Sequence, residues 1–228
     1  MITSQSSWLL LCILATLLFI STDAHMAMLY PRPRGGVGTT GFNWRIHQFV
    51  GFKGYKFPCG GFGLGPNTDL EAGQVVNVRF WSSAMSDKKD TGELPPKNIE
   101  QARHGGGMCE FSLSYDGGKS FHVIGTYTKT CPDAAFKWPI KIPDNVPSCN
   151  DPGKCLFSWS WTANLMAQFY HNCADVTIKG VKDGALPKKT IQIYDFKGYK
   201  QDVTFDGDGN SHSRGSGPIE SEVEANTR

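Results

Sequence analysis

Long apolar runs are scarce in this chain of 228 residues, and the one that is present covers residues 9–20. No other run approaches the ~20 apolar residues of a membrane-spanning helix, and the polar C-terminus lacks the hydrophobic tail of a lipid-anchor signal. Small residues at positions 22 and 24 follow the run, as in a secretory signal peptide that is cleaved after Ala24. We therefore expect a leader over residues 1–24 and a secreted, extracellular protein without a membrane anchor, which begins at His25.

A charge excess and several sequence motifs are also lacking. Lys and Arg total 23 against 21 Asp and Glu, and the basic residues are scattered, so nothing indicates a nucleic-acid surface. There is no C-x-x-C pair, no zinc-finger spacing and no N-glycosylation sequon. The run H-G-G-G at residues 104–107 also occurs in serine esterases, but the G-x-S-x-G nucleophile motif that those enzymes need is absent.

Cysteine usage agrees with secretion. Cys12 belongs to the predicted leader, and an even number of six cysteines remains, which predicts three disulfides. Six cysteines allow 15 pairings, and their sequence positions leave the choice among them open. One plausible set closes a small loop from residue 149 to 155, ties neighbouring strands through 109 and 131, and links an early loop to the last core strand through 59 and 173.

Helical periodicity is lacking as well, because no segment of twelve residues repeats at 3.6. The chain shows short alternating runs separated by Gly, Pro, Asn and Asp, which predicts an all-β antiparallel sandwich. We expect one domain over residues 25–180, and a C-terminal extension over 181–228 that adds at most one strand at 190–194 and is largely disordered from about residue 206. The predicted core strands are residues 74–82, 109–115, 120–126, 136–142, 154–162 and 168–179.

Two histidines carry the candidate metal chemistry. A free N-terminal His25 offers its α-amine and its ring Nδ1 to one ion, and an ordinary α-amine, with a pKa of about 7.7, loses its proton at little cost near neutral pH. The three glycines after His104 allow a close approach of the backbone. A ring nitrogen of His104 completes a T-shaped set of three nitrogens, which favours Cu(II). We therefore predict a single copper ion between His25 and His104.

A third motif supplies the remaining candidates, in the strand predicted over residues 168–179. Strand alternation places Gln168 and Tyr170 on one face and His171 on the other. The Tyr170 phenol then serves as a distant axial ligand of the copper, and the Gln168 amide as a neighbouring hydrogen bonder. We interpret His171 and the nearby Trp161 as structural residues.

Together the three motifs resemble those of fungal lytic polysaccharide monooxygenases. They are H-M-A-M at residues 25–28, A-R-H-G-G-G-M-C-E-F-S-L-S-Y-D-G-G-K at 102–119, and Q-F-Y-H-N-C-A at 168–174. The resemblance spans residues 25–180 and is closest to the chitin-active fungal group, with some similarity to a cellulose-active group. The chitin-active group carries glutamate at the position of Gln168, and glutamine there is more similar to the cellulose-active relatives. The polar loop at 83–103 is also longer than is usual in the family.

This resemblance implies an immunoglobulin-like β-sandwich that holds one copper ion in a histidine brace. His25 and His104 match the brace histidines, and Tyr170 matches the axial tyrosine. The implied activity is that of an oxidoreductase that cleaves crystalline chitin or cellulose with O2 or H2O2 and an external electron donor. We expect a monomer that acts on the polysaccharide surface.

Two other functions stay open. One is a secreted copper-binding protein that has a histidine brace but no oxygenase activity, and the other is a non-catalytic module that binds wall polysaccharide. Tyr30, Trp44 and Phe49 are candidates for stacking on sugar rings, because aromatic rings present a large apolar face.

Overall fold

A computed structural model describes residues 26–82, 102–128, 131–163 and 168–193, and the backbone of 204–205 and 211–212. Ten strands lie in these ranges: β1 (Met26–Tyr30), β2 (Asn67–Glu71), β3 (Val75–Ser82), β4 (Gly107–Ser114), β5 (His122–Tyr127), β6 (Trp138–Lys141), β7 (Leu156–Ala163), β8 (Phe169–Lys179), β9 (Thr204–Phe205) and β10 (Ser211–His212). Two short 3-10 helices cover Trp44–His47 and Phe52–Gly54. Neither these helices nor any other described segment forms an apolar helix long enough to cross a membrane.

Two sheets form the body of the fold. One has the strand order β1-β3-β6 and the other the order β2-β8-β7-β4-β5, while β9 and β10 pair only with each other. Buried side chains from both larger sheets belong to one hydrophobic cluster, which is the arrangement of a β-sandwich. The immunoglobulin-like all-β fold is therefore confirmed. Its strand pairs are antiparallel with one exception, because β2 runs parallel to β8.

The six alternating runs correspond to β3–β8, each within two residues at either end. The pattern missed β1 and β2 for different reasons. Four of the five residues of β1 are buried, and its sequence M-A-M-L-Y places no polar residue between the apolar ones, so it shows no alternation. In β2 only Leu70 is buried, and the polar sequence N-T-D-L-E does not suggest a strand.

The three disulfides link Cys59 to Cys173, Cys109 to Cys131 and Cys149 to Cys155. These are the pairs of the plausible set named above, one of the pairings that the sequence left open. The first of them ties a loop to β8, whose N-terminal end carries Tyr170. The disulfide therefore holds the loop around Cys59 against β8.

Residues 181–193 lie against the larger sheet. The backbone N of Val123 donates a 2.8 Å hydrogen bond to the carbonyl oxygen of Lys189, and Oε2 of the buried Glu110 accepts one of 2.7 Å from the backbone N of Gln192. The predicted strand at 190–194 is limited in the described residues to one bridge, between His122 and Thr190. The domain limit at residue 180 stays a prediction, and residues 206–210 and 213–228 of the predicted disordered tail lie outside the described residues.

Candidate metal centre

Three segments of the chain meet at Ser82, the last residue of β3. Its Cα pairs with that of Met26, the first residue of β1. The Oγ of the buried Ser82 accepts a 3.2 Å hydrogen bond from the backbone N of Ala102, two residues before His104. One serine therefore connects the N-terminal strand to the segment that leads into the H-G-G-G run.

His104 adopts a backbone conformation that is rare for a residue with a side chain. Its φ is +45°, and the φ angles of Gly105, Gly106 and Gly107 are also positive, at +71°, +88° and +150°. A left-handed conformation costs a non-glycine residue about 1–2 kcal/mol, so neighbouring contacts must hold it in place. One such contact is the 2.7 Å hydrogen bond from the backbone N of Gly106 to the carbonyl oxygen of Arg103, which closes a turn around His104. Strain of this kind is typical of functional sites.

The indole of Trp161 contacts this turn from the side of the hydrophobic core. It is fully buried on β7, and its Nε1 donates a 3.2 Å hydrogen bond to the carbonyl oxygen of Gly106. The rings of His104 and Trp161 stack with centroids 6.1 Å apart and an interplanar angle of 26°. Trp161 also stacks on Tyr170 of β8, with centroids 4.4 Å apart and the same angle.

Tyr170 and Gln168 form the other half of the cluster. The hydroxyl of Tyr170 donates a 2.6 Å hydrogen bond to Oε1 of Gln168. Tyr170 is buried, whereas Gln168 and His104 are both partly exposed. The structure thus brings His104, Tyr170 and Gln168 together around the Trp161 ring.

The donor set of these residues suits copper. Imidazole nitrogen is a preferred ligand of copper, and the phenol oxygen of Tyr170 would supply a further, weaker donor. Two predictions about this site fall outside the described residues: His25, which directly precedes Met26, and most of the loop at 83–103.

Among the described residues, one further cluster has metal-ligating atoms close together. The ligand atoms of Cys59, His171 and Cys173 lie within 4.8 Å of one another. Because the two cysteines form a disulfide, neither sulfur is available as a thiolate. Burial lowers the pKa of His171 to about 3, and its Nδ1 accepts a 3.1 Å hydrogen bond from the backbone N of Cys59. This cluster is structural, as predicted for His171.

Sequence reasoning missed two residues that connect the segments of this site. Ser82 ends an alternating run with nothing to distinguish it, and Asn172 lies unremarked within the third motif. The Oδ1 of Asn172 accepts a 2.8 Å hydrogen bond from the backbone N of Met28, and its Nδ2 donates one of 2.9 Å to the carbonyl oxygen of Ile46. Asn172 therefore ties β1 and the first 3-10 helix to the strand of Tyr170. The one signal in the sequence for Ser82 and Asn172 was that each is a polar residue within a strand whose other residues are mostly apolar.

Three curated relatives are similar to this chain. It is 33% identical over 168 residues to AA11 family lytic polysaccharide monooxygenase A of Aspergillus fumigatus, a match that covers 69% of this chain and 66% of that protein. It is 24% identical over 173 residues to AA11 family lytic polysaccharide monooxygenase B of the same species, covering 69% and 37%. An AA11 family lytic polysaccharide monooxygenase of Aspergillus oryzae is 26% identical over 193 residues, covering 75% and 40%. The chain thus spans from 37% to 66% of the length of these relatives.

Among solved structures, the chain is similar to the extended catalytic domain of LPMO9A of H. jecorina, with 15% identity, a TM-score of 0.42, and coverage of 85% of this chain and 93% of that one. No protein-family model matches the sequence. The first curated relative confirms the resemblance that the three motifs suggested. The chain belongs to the AA11 family of fungal lytic polysaccharide monooxygenases.

Proposed function

We propose that this chain is a secreted, copper-dependent monooxygenase that cleaves glycosidic bonds in crystalline chitin, with cellulose as the alternative substrate. The observation that carries the proposal is the junction at Ser82, which pairs with Met26 and accepts a hydrogen bond from Ala102. Through it, the strand that follows His25 and the segment that precedes His104 are held side by side.

The proposed ligands are the α-amine and Nδ1 of His25 and a ring nitrogen of His104. His25 directly precedes Met26 in the sequence, so the pairing of Met26 with Ser82 and the hydrogen bond from Ala102 to Ser82 support one ion shared by His25 and His104. Copper supplies, when bound, one-electron redox chemistry with O2 or H2O2 and an external electron donor. The α-amine requirement makes correct removal of residues 1–24 part of the proposal.

Tyr170 and Gln168 act beside these ligands. The Tyr170 hydroxyl donates a 2.6 Å hydrogen bond to Oε1 of Gln168, and its phenol oxygen would serve as a distant ligand of the copper ion. Gln168 accepts this hydrogen bond with its Oε1, and its amide nitrogen would remain a donor toward a bound co-substrate. The stacked ring of Trp161 and the buried position of Tyr170 exclude water from the inner side of the site.

Trp44 is the proposed contact to the polysaccharide. It is 46% exposed, whereas the other tryptophans among the described residues are buried. Its ring packs at 5.2 Å against Phe42 and at 5.7 Å against Trp81, and its helix is tied to β8 through Asn172. A rigid, exposed indole suits stacking on a pyranose ring. Tyr30 and Phe49 are weaker candidates, because both are partly buried against the core.

We also propose that the protein works as an extracellular monomer. Its catalytic domain would begin at His25 and end near residue 180, and the remaining residues would form an extension. The described part of this extension, up to residue 193, packs on the sheet through Lys189 and Gln192. This packing supports an extension that is anchored to the domain at its start.

The test uses secreted protein whose N-terminus is verified as His25 by mass spectrometry. The protein is loaded with one equivalent of Cu(II), supplied with ascorbate, and incubated separately with β-chitin, α-chitin and cellulose. Oxidised oligosaccharides are then identified by mass spectrometry. Two controls are matched to the proposal: the same protein treated with a chelator, and a variant with one extra residue before His25.

We expect oxidised products from the copper-loaded, correctly processed protein alone, and the productive polysaccharide identifies the substrate. Tight copper binding without oxidised products would favour the copper-binding protein without oxygenase activity. Polysaccharide binding that is unchanged by chelator and by His104→Ala, again without oxidation, would favour the non-catalytic module.

A further inference from the structure

We propose that Trp161 is a positioning residue of the copper site, which holds the His104 turn and the Tyr170 phenol in a fixed relation to each other. This inference rests on the proposed function and deepens it. It replaces the sequence-based interpretation of Trp161 as only a core residue.

The backbone of Trp161 is itself firmly placed. Trp161 lies on β7, between β4 and β8, and its Cα pairs with that of Cys109 on one side and that of Tyr170 on the other. Cys109 is in turn cross-linked to Cys131. Because both neighbouring strands and a disulfide constrain this position, the indole can act as a fixed reference for looser segments.

The His104 turn contacts this indole. The turn is built from four consecutive residues with positive φ, 104–107. The indole Nε1 donates to the carbonyl oxygen of Gly106 at 3.2 Å. That bond and the stacking of the indole on the His104 ring at 6.1 Å act on the backbone and on the side chain of the same turn.

The close fit of this turn to Trp161 is visible at Gly107. A Cβ at that position would lie 2.7 Å from Nε1 of Trp161 and would overlap the carbonyl oxygen of Thr162. The backbone therefore approaches the indole as closely as a glycine permits. A smaller or nonpolar side chain at 161 would leave both the Gly106 carbonyl and the His104 ring with one fewer contact.

The second site residue is held by the same ring. Trp161 and Tyr170 stack at 4.4 Å, and Tyr170 directs its hydroxyl to Gln168. A single side chain thus orients two residues that would hold the copper ion. Two residues that come from distant parts of the sequence share this one support.

Trp159 provides a matched control. It lies on the same strand and the same face, is equally buried, and stacks on Trp161 with centroids 6.1 Å apart. Its Cα pairs with those of Phe111 and Asn172 rather than with that of Tyr170. Replacing Trp159 therefore disturbs the core to a similar degree without removing the described contacts to the site.

The experiment compares Trp161→Phe, Trp161→Leu and Trp159→Phe with the unaltered protein. Thermal unfolding establishes that each variant is folded, and Trp161→Phe retains a ring if the leucine variant fails to fold. The first readout is the Cu(II) electron paramagnetic resonance spectrum together with the Cu(II) dissociation constant. The second, made without copper, is amide hydrogen exchange of the peptide that contains residues 103–107.

We expect Trp161→Phe to weaken Cu(II) binding about fivefold, the effect of one lost hydrogen bond, to change the copper spectrum, and to accelerate exchange at residues 103–107. Trp161→Leu should exceed it in all three, and Trp159→Phe should change none of them. The proposal is overturned if the Trp161 variants keep the parental spectrum and exchange rates, or if Trp159→Phe changes them equally.

Failure of the proposed function gives a different result. The Trp161 variants could change copper binding and the copper spectrum as expected while the unaltered protein oxidises no polysaccharide. That result would contradict the oxygenase activity and support the positioning role of Trp161. If the unaltered protein does not bind Cu(II), the positioning of a copper site is overturned together with the proposed function.

Discussion

The hydroxyl of Tyr170 donates a 2.6 Å hydrogen bond to Oε1 of Gln168. A carboxylate at position 168 would accept the same bond and would add a negative charge beside the proposed copper site. We therefore expect Gln168→Glu to fold normally and to favour Cu(II) over Cu(I). The reduction potential should fall by on the order of 50 mV, because an exposed charge contributes ~1 kcal/mol and 59 mV corresponds to about 1.4 kcal/mol for one electron.

Redox titration of the copper-loaded variant measures this shift. Gln168→Asn is the control, since its shorter amide is neutral and cannot reach the Tyr170 hydroxyl in the same way. An unchanged potential in Gln168→Glu would mean that residue 168 lies too far from the metal to influence it.

Gly107 provides the sharpest test of the His104 turn. Its φ of +150° and the overlap of an added Cβ with Thr162 O and Trp161 Nε1 make any side chain costly. We expect Gly107→Ala to lower the free energy of unfolding by about 3 kcal/mol, from strain and overpacking combined, and to weaken copper binding. Chemical denaturation gives the first quantity, and titration with Cu(II) the second.

The control for this substitution is Gly41→Ala. An added Cβ at Gly41 meets no atom within 4 Å, and its φ is not in the left-handed region. The free energy of unfolding of that variant should stay within about 0.5 kcal/mol of the parent. Equal losses in the two variants would contradict the close approach described at Gly107.

The strands whose sequences alternate between apolar residues and polar or small residues were predictable, and the strands whose sequences lack this alternation were not. β7 and β8 were correctly placed because their sequences combine β-branched, aromatic and small residues between turn signals. β1 escaped because its sequence M-A-M-L-Y has no polar residue between the apolar ones, so its hydrophobic pattern has no period of two. The parallel pairing of β2 with β8 depends on long-range packing that a local pattern does not encode.

The site shows the same division. The three motifs made His104, Tyr170 and Gln168 candidates, because each carries chemistry in a short and unusual sequence context, and the structure brings the three side chains together around Trp161. The role proposed for Trp161 depends on strand register, since its ring reaches Tyr170 only when residues 161 and 170 pair directly. Register is set by the whole sheet, and a one-residue slip would turn the indole away. This information was not available from the separate runs.

Ser82→Ala tests the junction between β1 and the His104 segment. The substitution removes the acceptor of the 3.2 Å hydrogen bond from Ala102, and one such bond contributes about 1 kcal/mol. If both proposed brace histidines depend on this contact, Cu(II) binding should weaken about fivefold. Isothermal titration with Cu(II) measures the effect, and Ser82→Thr, which keeps a hydroxyl, should restore part of the affinity. An unchanged Cu(II) affinity in Ser82→Ala would mean that the hydrogen bond between Ala102 and Ser82 does not influence the metal site.

Asp116 makes the hairpin between β4 and β5 sensitive to acid. Burial acts to raise its pKa, but hydrogen bonds from Ser120, Ser114 and Lys119 outweigh it and lower the pKa to about 2. Because the folded-state pKa is below the unfolded value of 3.8, Asp116 stabilises the fold above about pH 4, and this contribution is lost as the pH falls toward 2.

Asp116→Asn should therefore lower the melting temperature by a few degrees at pH 7. The difference from the parent should shrink as the pH falls from 4 to 2. Melting curves over that range test both statements. Asp144→Asn is the control, because the Asp144 side chain is 73% exposed and its pair with Lys141 lies on the surface. A constant difference at every pH would rule out titration of Asp116 as the cause.

Trp44→Ala separates binding of the polysaccharide from chemistry at the metal. The Trp44 ring is exposed, and its helix is anchored to β8 by the Asn172 bond to Ile46. Removing the ring should weaken adsorption of the copper-free protein to chitin or cellulose about tenfold, since stacking aromatic contacts contribute on the order of 1 kcal/mol beyond the area they bury.

Leu64→Ala is the control, because Leu64 is an exposed apolar residue of another loop, at 68% exposure. Depletion from the supernatant at several polysaccharide loadings measures adsorption. The copper spectrum should stay unchanged in both variants, so a loss of adsorption in Trp44→Ala alone would assign the ring to the substrate surface. Equal adsorption of Trp44→Ala and the parent would leave the polysaccharide contact to another part of the chain.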